Sequence, residues 1–292
     1  MIYDVTHVTA YEYGSPITFA RCALRLTPQT GAGQVVLSAE VATEPPAATR
    51  SERICFFGNR VTMMTFDTPH TEARFIAKAR VDVRRPPLPM ALPDETLDRV
   101  REEAIANHGL SPTSPAHFLF PSHRAPDYPP ATSYVRESFP PERAALDGAL
   151  DLIGRIRRDF KYDPDATKVS TPLSEAFEGR HGVCQDFAHV MISGLRGLGV
   201  PAAYVSGYIR TIPPSGRPRL EGADATHAWV NVWCGQRVGW VGLDPTNAIP
   251  ADDDHIVLAT GRDYSDASPV DGIIFGSREQ DVDVSVDVIP VG

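Results

Sequence analysis

The residues best suited to chemistry lie in three short segments of the C-terminal half. Cys184 stands in GVCQDFAHV, His227 in ATHAWVNVW and Asp244 in GWVGLDPTN. A cysteine nucleophile needs a base to generate its thiolate and a third group to orient that base. These three residue types supply that set, and the chemistry they imply is acyl transfer through a thioester. Gly182 permits a tight turn just before the cysteine. The apolar residues that follow, Phe187, Val190, Met191, Leu195 and Leu198, predict a helix over 185–198, with Gly199 as its C-terminal cap and Pro201 beyond it. Cys184 therefore falls at a helix N-terminus. The partial positive charge there favours thiolate over thiol, and the free N–H groups could hold an oxyanion. Asp186 is placed to stabilise the helix start, and Gln185 to lend its backbone N–H to the oxyanion.

His227 and Asp244 belong to two strand-like runs, THAWVNVW and RVGWVGLD. Gly235-Gln236 between them reads as a two-residue hairpin turn. Such a turn pairs Cys234 with Arg237 and, carried along the ladder, His227 with Asp244. The two side chains would then be direct cross-strand neighbours, with Cβ atoms about 5 Å apart. Trp229, Asn231 and Trp233 share that face. A one-residue change in the turn would break the arrangement. In isolation such a pair reads more readily as a surface ion pair; its coincidence with an aimed cysteine gives it catalytic meaning.

Other candidates fit less well. His181 and His189 flank the cysteine, and His189 is more than one helical turn away, so it reads as a packing or surface residue. His7 and His70 read as surface residues, and His117 and His123 as solvated loop residues. Asp252-Asp253-Asp254 reads as a solvated acidic turn, because calcium ligand sets need more defined spacing. No metal site is expected. Gln185, Tyr208 and Tyr264 are candidates for substrate contact, as is Tyr204, with core or rim packing as the competing reading of the tyrosines. Trp229, Trp233 and Trp240 read first as sheet-packing residues.

The elements that must position these groups follow from pattern. Leu146, Leu150, Ile153 and Ile156 predict a helix beginning near Ala144. After the cysteine helix come three strand-like runs, AAYVSGYIR, THAWVNVW and RVGWVGLD, with the loop IPPSGRPRLEGAD between the first two. A helix followed by antiparallel strands makes residues 145–276 an α+β domain. Residues 1–85 alternate β-branched and aromatic residues between turn signals and predict an antiparallel β domain or sandwich. Residues 86–144 are proline-dense and read as an irregular connector with one short helix over 95–106. Residues 277–292 form a final strand. Val282, Val284, Val286 and Val288 face inward and Asp283, Ser285 and Asp287 face solvent, with docking on the N-terminal β domain.

Composition narrows the partners. The chain has 292 residues, a net charge of −9 and 42% hydrophobic content. The acidic balance argues against general affinity for nucleic acid or anionic membranes. No segment approaches the length of a membrane span, and the N-terminus lacks a signal-peptide pattern, so a cytoplasmic location is expected. The four cysteines, Cys22, Cys55, Cys184 and Cys234, show no C-x-x-C spacing, which disfavours zinc ribbons and dithiol redox sites.

GVCQDFAHV, LGVPAAYVSGYI, ATHAWVNVW and GWVGLDPTN, in that order and spacing, resemble the bacterial transglutaminase-like superfamily. FKYDPDATKVSTPLSEAF and GRDYSDASPVDGIIFG extend the resemblance over 145–276, and the β-rich N-terminus is similar to the region that often precedes this core. The resemblance implies a papain-like, transglutaminase-like core with Cys184 as nucleophile, His227 as base and acid, and Asp244 as orienting group, and it implies no cofactor. Related cores crosslink proteins, deamidate glutamine, hydrolyse peptide or glycan amides, or have lost activity. The expectation drawn from it is a hydrolase, a protease or amidase acting on a protein or peptide amide. The alternatives are glutamine–lysine crosslinking and a catalytically silent binding scaffold.

Overall fold

Alternation of apolar and polar residues over the first 83 positions builds two antiparallel sheets in the computed structural model, which describes residues 1–31, 33–88, 95–211, 222 and 224–291. The strands are β1 (Ile2–Ile17), β2 (Phe19–Leu24), β3 (Gln34–Glu44), β4 (Thr49–Ile54), β5 (Arg60–Phe66) and β6 (His70–Val83). A connector follows with α1 (Leu97–Ala106), a 3-10 turn at Pro115–Phe118 and α2 (Pro129–Arg136). The rest of the chain holds α3 (Ala145–Asp159), β7 (Lys161–Tyr162), α4 (Leu173–Gly179), β8 (His181–Gly182) and α5 (Cys184–Gly197). After these come β9 (Ala202–Ile209), β10 (Ala225–Trp233), β11 (Trp240–Asp244), β12 (Ile249–Pro250) and β13 (His255–Gly261). The chain closes with α6 (Tyr264–Ala267), β14 (Val270–Phe275) and β15 (Gln280–Pro290). The expected loop over 212–224 lies outside the described residues except for Gly222 and Asp224, as does the 89–94 part of the proline-dense segment.

The sheets run β15-β1-β6-β3 and β14-β2-β5-β4. Leu24, Met64 and Phe66 from one meet Val41, Phe75 and Ala77 from the other in a shared core. Each sheet takes one strand from the C-terminus. β15 pairs with β1 along its length, from Tyr3 opposite Pro290 to Tyr13 opposite Gln280. β14, assigned from sequence to the α+β domain, instead pairs with β2. Only half of the valine alternation in β15 is buried: Val286 and Val288 are covered, whereas Val282 and Val284 stand exposed. The first pair packs on Tyr208, Ile256 and Leu258; the second lies on the part of the strand away from that cluster.

The α+β unit is a five-stranded antiparallel sheet, β12-β11-β10-β9-β13. One face carries α5, whose Phe187, Val190, Met191 and Leu195 join Ala228, Val230 and Val232 in the largest core. α2 belongs to this core through Ala131, Tyr134 and Val135, so the proline-dense segment is more than a connector. Gly194 and Gly197 on α5 leave room for α2: a Cβ there would strike Val135 and Thr132. At the end of the sheet where β9 finishes and β13 begins, Tyr208, Ile256 and Leu258 pack on the β15, β1 and β6 strands. His7, expected at the surface, is buried there, bonded to the Tyr208 hydroxyl at 2.9 Å and to Thr9 Oγ1 at 2.9 Å.

Two side-chain amides from the N-terminal sandwich reach the edge strand β13 and pair with its backbone as a neighbouring strand would. Gln34 donates to Val257 O and accepts from Val257 N–H, both at 2.8 Å. Asn59 does the same with Thr260, both at 2.8 Å. Open strand edges otherwise leave donors and acceptors unmet. Asn59→Leu should therefore lower the unfolding free energy by about 2 kcal/mol, the cost of stranding buried backbone groups, with a fall in the urea midpoint as the readout. An unchanged midpoint would show that water replaces the amide.

Candidate active site

The approach to Cys184 is built by turn chemistry. Arg180 ends α4 in the left-handed conformation at φ 54°. Its guanidinium lies over the rings of Phe177, Phe160 and Tyr134 at 4.2, 4.7 and 4.9 Å, which holds this unusual backbone for a non-glycine residue. Gly182 has φ +154°, and a Cβ there would press into the Asp186 carboxylate. That carboxylate accepts the Val183 N–H at 2.9 Å and the Thr167 hydroxyl at 2.6 Å, fixing the first turn of α5. Asp186 is thus the helix-start residue expected from sequence. Burial raises its pKa against these hydrogen bonds.

Cys184 opens α5 and is half-buried. His227 stands close enough to Cys184 for the thiol to be one of the groups that raise the imidazole's pKa. His227 is 8% exposed and its Nε2 is 2.8 Å from Asp244 Oδ2. Nε2 is thereby committed to the carboxylate, which leaves Nδ1 for the thiol. Asp244 is completely buried.

The register that joins His227 to Asp244 differs from the expected one. Trp233 pairs with Trp240 and Val230 with Leu243, so the connection spans 234–239 and is not the two-residue turn at Gly235-Gln236. Cys234 N–H bonds to Gly239 O at 2.9 Å and Gly239 N–H to Gly235 O at 2.8 Å, closing a wider loop. The ladder shifts by two positions, and a shift of two preserves the face. His227 and Asp244 are diagonal neighbours, and a histidine spans the longer gap.

Asp244 collects more partners than sequence reasoning identified. Its Oδ1 accepts from Thr246 N–H at 2.8 Å and Asn247 N–H at 3.1 Å. Its Oδ2 accepts from the Asn247 amide at 2.7 Å and lies 3.3 Å from His255 Nε2. The turn-forming string Asp-Pro-Thr-Asn carries the signal for the first pair. His255, fully buried on β13, had no local signal; its other nitrogen is 2.9 Å from Asp252 Oδ1. Asp252 and its neighbours are accordingly tied into the structure: Asp254 binds Arg210 and the Tyr3 hydroxyl.

Burial opposes every charge in this group, and the hydrogen bonds overcome it. Burial would raise Asp244, yet the bonds from His227, His255 and Asn247 hold its carboxyl well below the ordinary range. Burial would lower His227, yet the bonds to Asp244 and Cys184 hold it up to about 10 from its ordinary 6.5. His255 is raised by Asp244 and Asp252 despite its burial. Trp229 walls the pair, stacked on His227 at 6.2 Å and edge-on to His255 at 5.2 Å. Donor atoms of His227, Asp244 and His255 lie within 4.8 Å of one another, a spacing a metal ion can use. Here the two imidazoles and Asn247 already converge on the one carboxylate oxygen that a metal would need.

The remaining sequence candidates separate. Tyr208 points away, into the contact with His7 under the sheet, and is no part of a substrate cleft. Gln185 lies beside the cysteine, its amide reaching toward Val169 O at 3.5 Å. Tyr264 gives its N–H to His189 Nε2 at 3.2 Å and packs edge-on to Tyr204. His189 is a buried packing residue stacked on Tyr204 at 5.0 Å. His181 stays outside the Cys184–His227–Asp244 set, on β8 opposite Lys161. All four cysteines are free thiols.

Comparison with known proteins gives the same outline. Residues 3–82 match the family model described as bacterial transglutaminase-like N-terminal region, and residues 132–245 match the transglutaminase-like superfamily. An uncharacterized protein of Mycobacterium tuberculosis is 37% identical over 292 residues, covering 99% of this chain and 92% of its own. A protein-glutamine gamma-glutamyltransferase of Pseudomonas aeruginosa is 32% identical over 103 residues, which is 32% of this chain and 15% of that protein. A crystal structure of a candidate cysteine protease from Cytophaga hutchinsonii shares the fold, with a TM-score of 0.73 and 19% identity, covering 100% of this chain and 92% of that one. No helix among the described residues is long and apolar enough to cross a membrane.

The raised value of His227 sets a pH test. A histidine lifted on folding stabilises the protein fully below its unfolded value of about 6.5 and loses that contribution as pH climbs toward 10. The stability advantage of wild type over His227→Gln, measured by thermal melts, should shrink steadily across that window. A constant advantage would mean that the ring is not held protonated.

Proposed function

The chain belongs to the transglutaminase-like superfamily, and from that premise we propose that it is a cysteine hydrolase acting on protein or peptide amide bonds. The observation that carries the reading is the buried His227–Asp244 hydrogen bond, with the Cys184 thiol at the start of α5 acting on the same imidazole. Asp244 keeps the imidazole in one tautomer and one orientation, and stabilises it as imidazolium. The Cys184 sulfur attacks the amide carbonyl carbon. The first-turn N–H groups of a helix have no intrahelical partner, and those of Cys184 and Gln185 are the donors for the oxyanion. Collapse of the adduct breaks the C–N bond, and His227 delivers its proton to the departing amine. A thioester remains on Cys184. Water then attacks it, His227 takes up the water proton, and the carboxylic acid leaves as the thiol is restored.

We favour water as the acceptor because it needs no dedicated amine site beside the thioester. A lysine amine in its place would crosslink two proteins. The match to part of a protein-glutamine gamma-glutamyltransferase keeps that second reading open to test. The experiment is incubation with a glutamine-rich protein and a labelled primary amine, following both ammonia or peptide release and stable amine incorporation. Release exceeding incorporation is expected, and the reverse would replace hydrolysis by transfer. Cys184→Ala should fold normally and lose all turnover. Asp244→Asn should lower kcat by about a hundred-fold or more, in the range of a misoriented general base.

A further inference from the structure

Asp244 has more donors around it than its charge requires. A carboxylate offers about four lone-pair sites. Four donors already fill them: the N–H groups of Thr246 and Asn247 on Oδ1 at 2.8 and 3.1 Å, and the Asn247 amide and His227 Nε2 on Oδ2 at 2.7 and 2.8 Å. His255 Nε2 is a fifth, 3.3 Å from Oδ2. A phenylalanine at this position would therefore leave the carboxylate satisfied. It would leave Asp252 satisfied as well, because that side chain is 57% exposed and open to water. Packing alone favours an apolar ring at a position with no exposure, since burying an ionisable ring costs free energy. The imidazole calls for another explanation.

The ring is fixed in place on every side. Its Nδ1 lies 2.9 Å from Asp252 Oδ1, and Trp229 meets it edge-on. The turn that carries Asp252 is fastened from the N-terminal sandwich. Arg85 donates through one terminal nitrogen to Asp252 O and His255 O, and through its backbone N–H to Asp253 Oδ1. Tyr3 donates its hydroxyl to Asp254. The titratable and charged groups that face His255 are thus Asp244 on β11, Asp252 in the turn, His227 on β10 at 6.1 Å between ring centroids, and Arg85 after β6 at its carbonyl. An ionised carboxylate only accepts, so His255 Nε2 carries the hydrogen.

Two imidazoles then draw on the charge of one oxygen. A donor added to a carboxylate disperses its charge and weakens its pull on a neighbouring proton. Even so, His227 is held up to about 10. An acid that keeps its proton far above the working pH is slow to release it to a departing amine. We propose, resting on the hydrolase reading above, that His255 is a positioning residue for the acid step. Its hydrogen bond to Asp244 Oδ2 takes a share of the carboxylate charge and so eases passage of the proton from His227 Nδ1 to the leaving amine nitrogen.

The test follows each histidine ring of the full chain by NMR across pH, which needs no substrate. In wild type, His255 Nε2 should carry a slowly exchanging proton at neutral pH. His255→Phe removes the donor and keeps a ring beside Trp229; the titration midpoint of His227 should rise by about one pH unit. His255→Gln keeps a donor and should return the midpoint to that of wild type. With a glutamine-containing protein as substrate, kcat for ammonia release should fall about three-fold in His255→Phe with KM unchanged, and the alkaline limb of the profile should move upward. A ring that merely braced Asp244 would give the opposite sign, because its loss would loosen the His227–Asp244 bond and lower the midpoint. A midpoint that falls or stays in place in His255→Phe, or an unprotonated His255 Nε2 in wild type, would overturn the proposal. No ammonia or peptide release by wild type would sink the hydrolase reading alone, since the ring titrations are read without turnover.

Discussion

A buried carboxylate is tolerated only when its charge and lone pairs are met, and the α+β unit is arranged around meeting those of Asp244. Two backbone N–H groups, one side-chain amide and two imidazoles converge on its oxygens. These donors come from β10, from the turn after β11 and from β13. Satisfying one charge thus ties together three segments that are separate in sequence. It also places an imidazole beside the thiol at the start of α5. The site is a by-product of that satisfaction as much as of the helix that carries the cysteine.

The N-terminal sandwich bears on the same constraint from outside. β13 is the edge of the five-stranded sheet and carries His255 at one end. Gln34 and Asn59 occupy its open backbone groups from the sandwich side. Tyr3 and Arg210 hold Asp254, next to that histidine. Removing the sandwich would release the strand that positions the second imidazole on Asp244. The two parts of the chain are one structure, and the C-terminal strands β14 and β15, each pairing into one of the sandwich sheets, close it.

The helix that carries Cys184 was legible in sequence because it depends on residue type and local pattern. Gly182, Cys184 and the apolar period after them define a helix start, and the structure has one at Cys184. Long-range geometry was only partly legible. The turn after Cys234 is wider than its Gly-Gln pair implied, because Gly235 and Gly239 together close a longer loop. His227 and Asp244 still share a face because the register moved by an even step. Tyr208 shows the limit in the other direction: strand alternation says that it faces opposite to Gly207 and His227's pairing position, but not which face borders the sandwich. His255 was invisible because its value lies in tertiary placement. Nothing about a histidine after three aspartates marks it as the second partner of a carboxylate eleven positions earlier.

In the proposed mechanism His227, held by Asp244, activates Cys184. The most direct measurement is the iodoacetamide alkylation rate of each cysteine at pH 6, assigned by mass spectrometry, in wild type and in His227→Gln. Cys184 should react well ahead of Cys22, Cys55 and Cys234 in wild type and fall back among them in the variant. A Cys184 that reacts no faster than Cys55, or whose rate is the same with and without the imidazole, would contradict it.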